Sequence, residues 1–185
     1  MKKIVIFMAI AAVAFTSCEK DKQNVITLPP VPNEEELITT FKVEFTDVNG
    51  ILPTVSALFV DVDGPGGNNP TAFDTIRLSA NATYNAVITL LNESVSPADD
   101  ITVEVQEEGI DHLFCFDISS GLNLTINKTD LDANNLAIGI LSEWVTGSIS
   151  TGTTTIRLKH QPGIKTGACE LGDTDIELNF STELN

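Results

Sequence analysis

Asp130, Asp132 and Asn134 stand at alternate positions of one short stretch, a spacing that lets oxygen ligands of a tight turn converge on one cation such as calcium. A calcium loop of the helix-loop-helix kind would continue with a glycine and a bidentate glutamate. Asn135 and Leu141 occupy those positions instead. The same residues are ordinary in a hairpin connection, so turn and cation site stand as two readings of one motif. A second cluster, Glu107, Glu108, Asp111 and His112, combines carboxylates with an imidazole, the donor set of a transition-metal site. Its other reading is a solvated charged run. No organic cofactor is implied; calcium or a transition metal is what these clusters would take. Asp61-Val-Asp63-Gly64 opens a loop rich in Gly, Asn and Pro that could wrap a cation or simply turn at the surface.

His112 and His160 are the two histidines of the chain, and Cys115 and Cys169 are two of its three cysteines. A zinc site built from all four fails on geometry, because residues three apart on a strand point to opposite faces and His112 cannot meet Cys115 on one ion. The cysteines are better read as a disulfide: with Cys18 accounted for separately, they form an even pair in an exported chain. A bridge across their separation would contribute on the order of 4 kcal/mol in the chain-entropy account. No nucleophile elbow, His-Glu-x-x-His pair or phosphate-cradling glycine loop occurs, and two histidines supply few general bases. The reading is not an enzyme.

The elements that must position these residues are short. Alternating or β-branched runs recur at 38–46, 55–62, 73–78, 83–91, 113–118, 122–126, 136–145, 153–160 and 175–180, most bounded by Gly, Asn, Asp or Pro. Such a series predicts a mainly antiparallel all-β chain, an immunoglobulin-like β-sandwich of about eight to nine strands. Trp144 shares strand parity with Ile138 and Ile140, which places it in the core and not on a sugar-stacking surface. One short helix is expected between Ser96 and Ile110, with Ser96 as cap, Pro97 at the first position, Asp99 and Asp100 in the first turn and Gly109 at the end.

The N-terminus assigns a compartment. Lys2 and Lys3 precede an apolar run from Ile4 to Phe15 and then Thr16-Ser17-Cys18, a length suited to an export signal and too short to span a bilayer. The stretch resembles a bacterial lipobox, with phenylalanine at Phe15 where leucine is most frequent. The resemblance implies that residues 1–17 are removed and that Cys18 becomes a lipid-carrying N-terminus. Glu19, Lys20, Asp21 and Lys22 resemble the short charged signal that sends Bacteroidota lipoproteins to the cell surface, which puts surface display ahead of the periplasmic face of the outer membrane. Residues 18–36, with Pro29, Pro30 and Pro32 followed by the three glutamates 34–36, read as a lipidated cysteine and flexible tether, and 37–185 as one domain.

The formal charge of −16 becomes −18 when loss of Lys2 and Lys3 takes the ten basic residues to eight against 26 acidic ones. That field repels nucleic acid and anionic lipid, so the lipid itself must hold the membrane.

Within the domain, Asn81-Ala-Thr-Tyr-Asn85, Leu91-Asn92-Glu93-Ser94, Pro97-Ala-Asp-Asp-Ile101, Glu107-Glu108 before Asp111-His112, and Asp130-Leu-Asp132-Ala-Asn134 together resemble a family of small uncharacterised Bacteroidota outer-membrane lipoproteins, sometimes labelled type 1 periplasmic binding fold. That label implies two lobes of alternating strands and helices, which this chain is too short and too strand-rich to form. The resemblance implies an outer-membrane location and transfers no site. Asp74-Thr75-Ile76 resembles the O-glycosylation acceptor of Bacteroidota exported proteins, which would place a glycan on Thr75. The expected function is a non-catalytic, lipid-anchored binding or accessory module, and the family resemblance implies a neighbouring nutrient transporter as partner. A cation-binding surface lipoprotein and a structural surface protein without soluble ligand are the alternatives.

Overall fold

A computed structural model of the chain describes residues 36–64 and 66–185. The expected export signal, Cys18 and nearly all of the expected tether lie outside the described residues. The described residues form one compact unit. Its strands are β1 (Thr40–Asp47), β2 (Val55–Val60), β3 (Ala72–Phe73), β4 (Ile76–Leu78), β5 (Thr83–Asn92), β6 (Asp99–Asp100), β7 (His112–Ile118), β8 (Leu124–Lys128), β9 (Leu141–Thr146), β10 (Ser150–His160) and β11 (Asp173–Leu184), with one helix, α1 (Ile101–Glu107). They form two sheets: β3-β2-β1-β5-β9-β8, with β6 added beside β5, and β4-β11-β10-β7. Every pairing is antiparallel except β4 with β11. The chain is an all-β sandwich, as its sequence predicts. It has more strands than expected because the run at 73–78 divides into β3 and β4, one in each sheet, and because β6 is only two residues long, too short to leave a period-two pattern.

The core follows from that period. On β1, Phe41, Val43 and Phe45 alternate with Thr40, Lys42 and Glu44, and they lie opposite Leu90, Ile88 and Ala86 of β5. All six apolar residues are buried, each large one contributing roughly 1.5–3 kcal/mol. Across the sandwich Phe41 meets Phe180 at 5.6 Å between ring centroids, and Trp144 packs edge-on against Phe45 at 4.8 Å. Trp144 is fully buried with its indole N–H donating to Ser142 Oγ at 2.9 Å, so it is a core residue as expected. Tyr84 is buried too, its hydroxyl accepting from Ser79 N.

Cys115 and Cys169 form a disulfide with Cα atoms 5.9 Å apart. On β7, His112, Phe114 and Phe116 lie opposite His160, Leu158 and Ile156 of β10. Cys115 therefore sits on the opposite face, tied to the loop between β10 and β11. Gln161 organises that loop by donating to the carbonyls of Ala168 and Leu171. At Gly172 a φ of +71° puts a notional Cβ 2.0 Å from His160 O, so only glycine fits there.

The helix corrects one expectation. Ser96 and Pro97 do not start it; they lie in a bend joined by a cis peptide, and Asp99 and Asp100 pair with Asn92 and Leu91 as β6. Asp100 is the cap, its side chain accepting from Thr102 N at 3.1 Å. The Thr102 hydroxyl accepts from Leu90 N and donates to Leu90 O, standing in for a strand partner of β5. Ladder bonds outcompete local propensity at Asp99 and Asp100, and the helix shrinks to two turns with Ile101 and Val105 buried.

Candidate functional site

The turn carrying Asp130 is built by its own acids. Asp130 Oδ1 accepts from Gly139 N at 2.7 Å, and Oδ2 from Ile140 N and Leu141 N at 3.0 and 3.2 Å. Asp132 Oδ1 accepts from Asn134 N and Leu136 N, while Oδ2 receives Lys165 Nζ at 2.8 Å. Both partners of this ion pair are buried. Burial pushes the Asp132 carboxyl up, but the Lys165 ammonium and the two amides outweigh it and hold it below the ordinary carboxylate range. Asn135 takes a left-handed φ of 62°, which asparagine tolerates. The lone pairs that would face calcium are thus engaged in closing a hairpin-like connection, and Asn134 is exposed.

Beside this turn, α1 and the outer faces of β5 and β9 enclose a groove of about 530 Å³. Val87, Val103, Ile110, Leu131 and Leu141 line it and are between 43% and 59% exposed. Exposed apolar side chains are unremarkable singly but mark a contact surface when gathered. Thr75 lies apart, half-buried in the link between β3 and β4, where the chain passes from one sheet to the other.

The second predicted cluster is split by its elements. Glu107, at the end of α1, is exposed. Asp111 is drawn to the β10–β11 loop, accepting from Gln161 N and Gly163 N. Glu108 and His112 turn instead toward the end of the inter-sheet space. His112 is fully buried, its ring stacked on His160 at 4.9 Å and 8°. Its Nδ1 lies 3.2 Å from Glu108 O; a carbonyl only accepts, so Nδ1 carries the hydrogen and Nε2 keeps its lone pair. Burial lowers the pKa of His112, which favours that neutral form. Nε2 has no hydrogen-bond partner among the described residues. The nearby Asp175 Oδ2, with its side chain equally buried, is 3.9 Å away.

Two members of this assembly escaped the reading of the sequence. The register between β10 and β11 shifts at Leu158/Lys159, pairing Leu158 with Ile176 and Lys159 with Thr174, so Asp175 is the extra residue of a β-bulge. A bulge re-aims a side chain against the strand's parity, and here it buries a carboxylate beside His112. Glu36 reaches the same place from the chain just ahead of β1. The ligand atoms of Glu36, Glu108 and His112 lie within 4.8 Å of one another. Burial, with the carboxylates of Glu104, Asp175 and Glu108, pushes Glu36 up to about 7.

Neither family models nor curated proteins nor solved structures give a match to this chain.

Proposed function

We propose that this protein is a non-catalytic, lipid-anchored module of the cell envelope, held at the outer membrane by lipid on Cys18, that docks a neighbouring envelope protein, with a nutrient transporter as the leading partner. The observation that carries this reading is the groove between α1 and β5–β9, where five apolar side chains gather at the surface of a strongly acidic chain. An apolar patch on such a chain gains free energy when a partner covers it, and a lipid on Cys18 would keep the domain among envelope proteins. Display at the cell surface is favoured by the charged residues Glu19 to Lys22. The experiment is photocrosslinking in cells from a photoreactive residue replacing Val103, compared with one replacing Ile51, which is exposed away from the groove. The same envelope protein should be captured repeatedly from position 103 alone. Capture should fall when Cys18→Ala abolishes incorporation of a fatty-acid label. Identical capture from both positions, or a fatty-acid label that survives Cys18→Ala, overturns the reading.

A further inference from the structure

We propose that Glu36, Glu108, His112 and Asp175 form a binding site for one divalent first-row transition cation, of which zinc is the representative. The site is independent of the groove and differs from the run first visible in the sequence. Four features support it. First, His112 is fully buried, with Nδ1–H fixed by the Glu108 carbonyl and an Nε2 lone pair without a hydrogen-bond partner among the described residues. That is how proteins prepare an imidazole for a metal, one nitrogen oriented by a backbone acceptor and the other free to ligate. Second, Glu108 Oε2 is buried and also lacks a hydrogen-bond partner among the described residues. Third, a β-bulge turns Asp175 inward to 3.9 Å from Nε2. Two ligands about 2.0–2.1 Å from a tetrahedral ion are separated by roughly 3.4 Å, so small side-chain rotations close the site. Fourth, the ligand atoms of Glu36, Glu108 and His112 lie within 4.8 Å of one another, so carboxylates crowd one partly buried space whose negative charge a dication offsets directly.

The donor chemistry selects the ion. Calcium and magnesium take oxygen ligands and gain little from an imidazole, whereas one nitrogen with carboxylate oxygens suits zinc and its neighbours. The disulfide removes both nearby thiols, so a soft ion such as copper(I) finds no sulfur here. A cleft of about 410 Å³ whose lining includes Ile38, Asp61, Thr174 and Asp175 adjoins the site on the Asp175 side.

The test is titration of the full chain, purified in detergent and stripped of metal, with zinc from a metal-buffered solution, and with calcium for comparison. One zinc per chain is expected, with calcium failing to compete. Glu36→Gln and Glu108→Gln should each weaken zinc at least tenfold. Glu107→Gln, which removes the same charge from an exposed neighbour, should leave affinity unchanged. His112→Gln should abolish binding; should that variant fail to fold, the half-buried glutamates carry the decision. Absence of stoichiometric zinc, affinity indifferent to Glu36→Gln and Glu108→Gln, an equal loss in Glu107→Gln, or calcium binding as tightly as zinc would each overturn the proposal.

Discussion

At the scale of single residues, the acids of this chain divide by what their oxygens already hold. Asp130 and Asp132 are saturated by backbone amides and Lys165, so their work is mechanical: they close the turn that forms one wall of the groove. Lys165 also donates to Gly109 O at 2.7 Å, linking the end of α1 to that turn. Lys165→Met leaves a buried, unpaired carboxylate and is expected to cost roughly 3 kcal/mol, read from urea unfolding at neutral pH. The pH dependence has a definite sign. Because the folded-state pKa of Asp132 is lowered, its contribution is fully present above the unfolded value of about 3.9 and disappears as pH falls through the lower folded value. The deficit of Lys165→Met should therefore shrink on acidification below about pH 4; a deficit constant across that range would assign the loss to packing alone.

At the scale of elements, the disulfide and the bulge do different things to the same end of the second sheet. The Cys115–Cys169 bridge spans 54 residues and fastens β7 to the β10–β11 loop, so its removal should act chiefly by freeing the unfolded chain. Cys115→Ala with Cys169→Ala is expected to lose on the order of 4 kcal/mol relative to the oxidised protein, measured by chemical denaturation. A loss below about 1 kcal/mol would mean that loop contacts such as those of Gln161 suffice without the bridge. The bulge at Asp175 needs no covalent bond, because Lys159 beside it donates to Gly172 O and Thr174 Oγ1 and anchors the irregular turn. Neither the bulge nor the late start of α1 was legible in residue order. Both arise where ladder pairing with the preceding strand overrides the pattern of the segment itself, at Asp175 by adding a residue and at Asp99–Asp100 by claiming the expected first turn.

At the scale of the whole molecule, a formal charge of −16 for the full chain acts on stability as well as on partner choice. Mutual repulsion among carboxylates opposes compaction and is screened over about 8 Å at physiological ionic strength. The melting temperature should therefore rise when monovalent salt increases from about 10 mM to 150 mM, a trend that differential scanning calorimetry resolves. A fall in that interval would mean that the local ion pairs, such as Lys42–Glu44 and Arg77–Glu183, outweigh the long-range field. No helix among the described residues is long and apolar enough to cross a membrane.

Period-two alternation was sufficient to read the sandwich, the burial of Trp144 and the opposite facing of His112 and Cys115, because side-chain direction on a strand is a local property. An even pair of cysteines, in a chain whose N-terminus is expected to be an export signal, was sufficient to read the disulfide. Half of the candidate metal site was visible as Glu108 and His112. Their neighbours Glu107 and Asp111 could not be told apart from them in the sequence, since one run of acids looks uniform until a helix end and a strand start send its members to different faces. Glu36 and Asp175 were invisible among 26 acidic residues. They meet His112 only because two sheets pack face to face and a bulge reverses one side chain, and convergence from distant segments is decided by tertiary structure, where free energy is minimised over the whole chain and not along it.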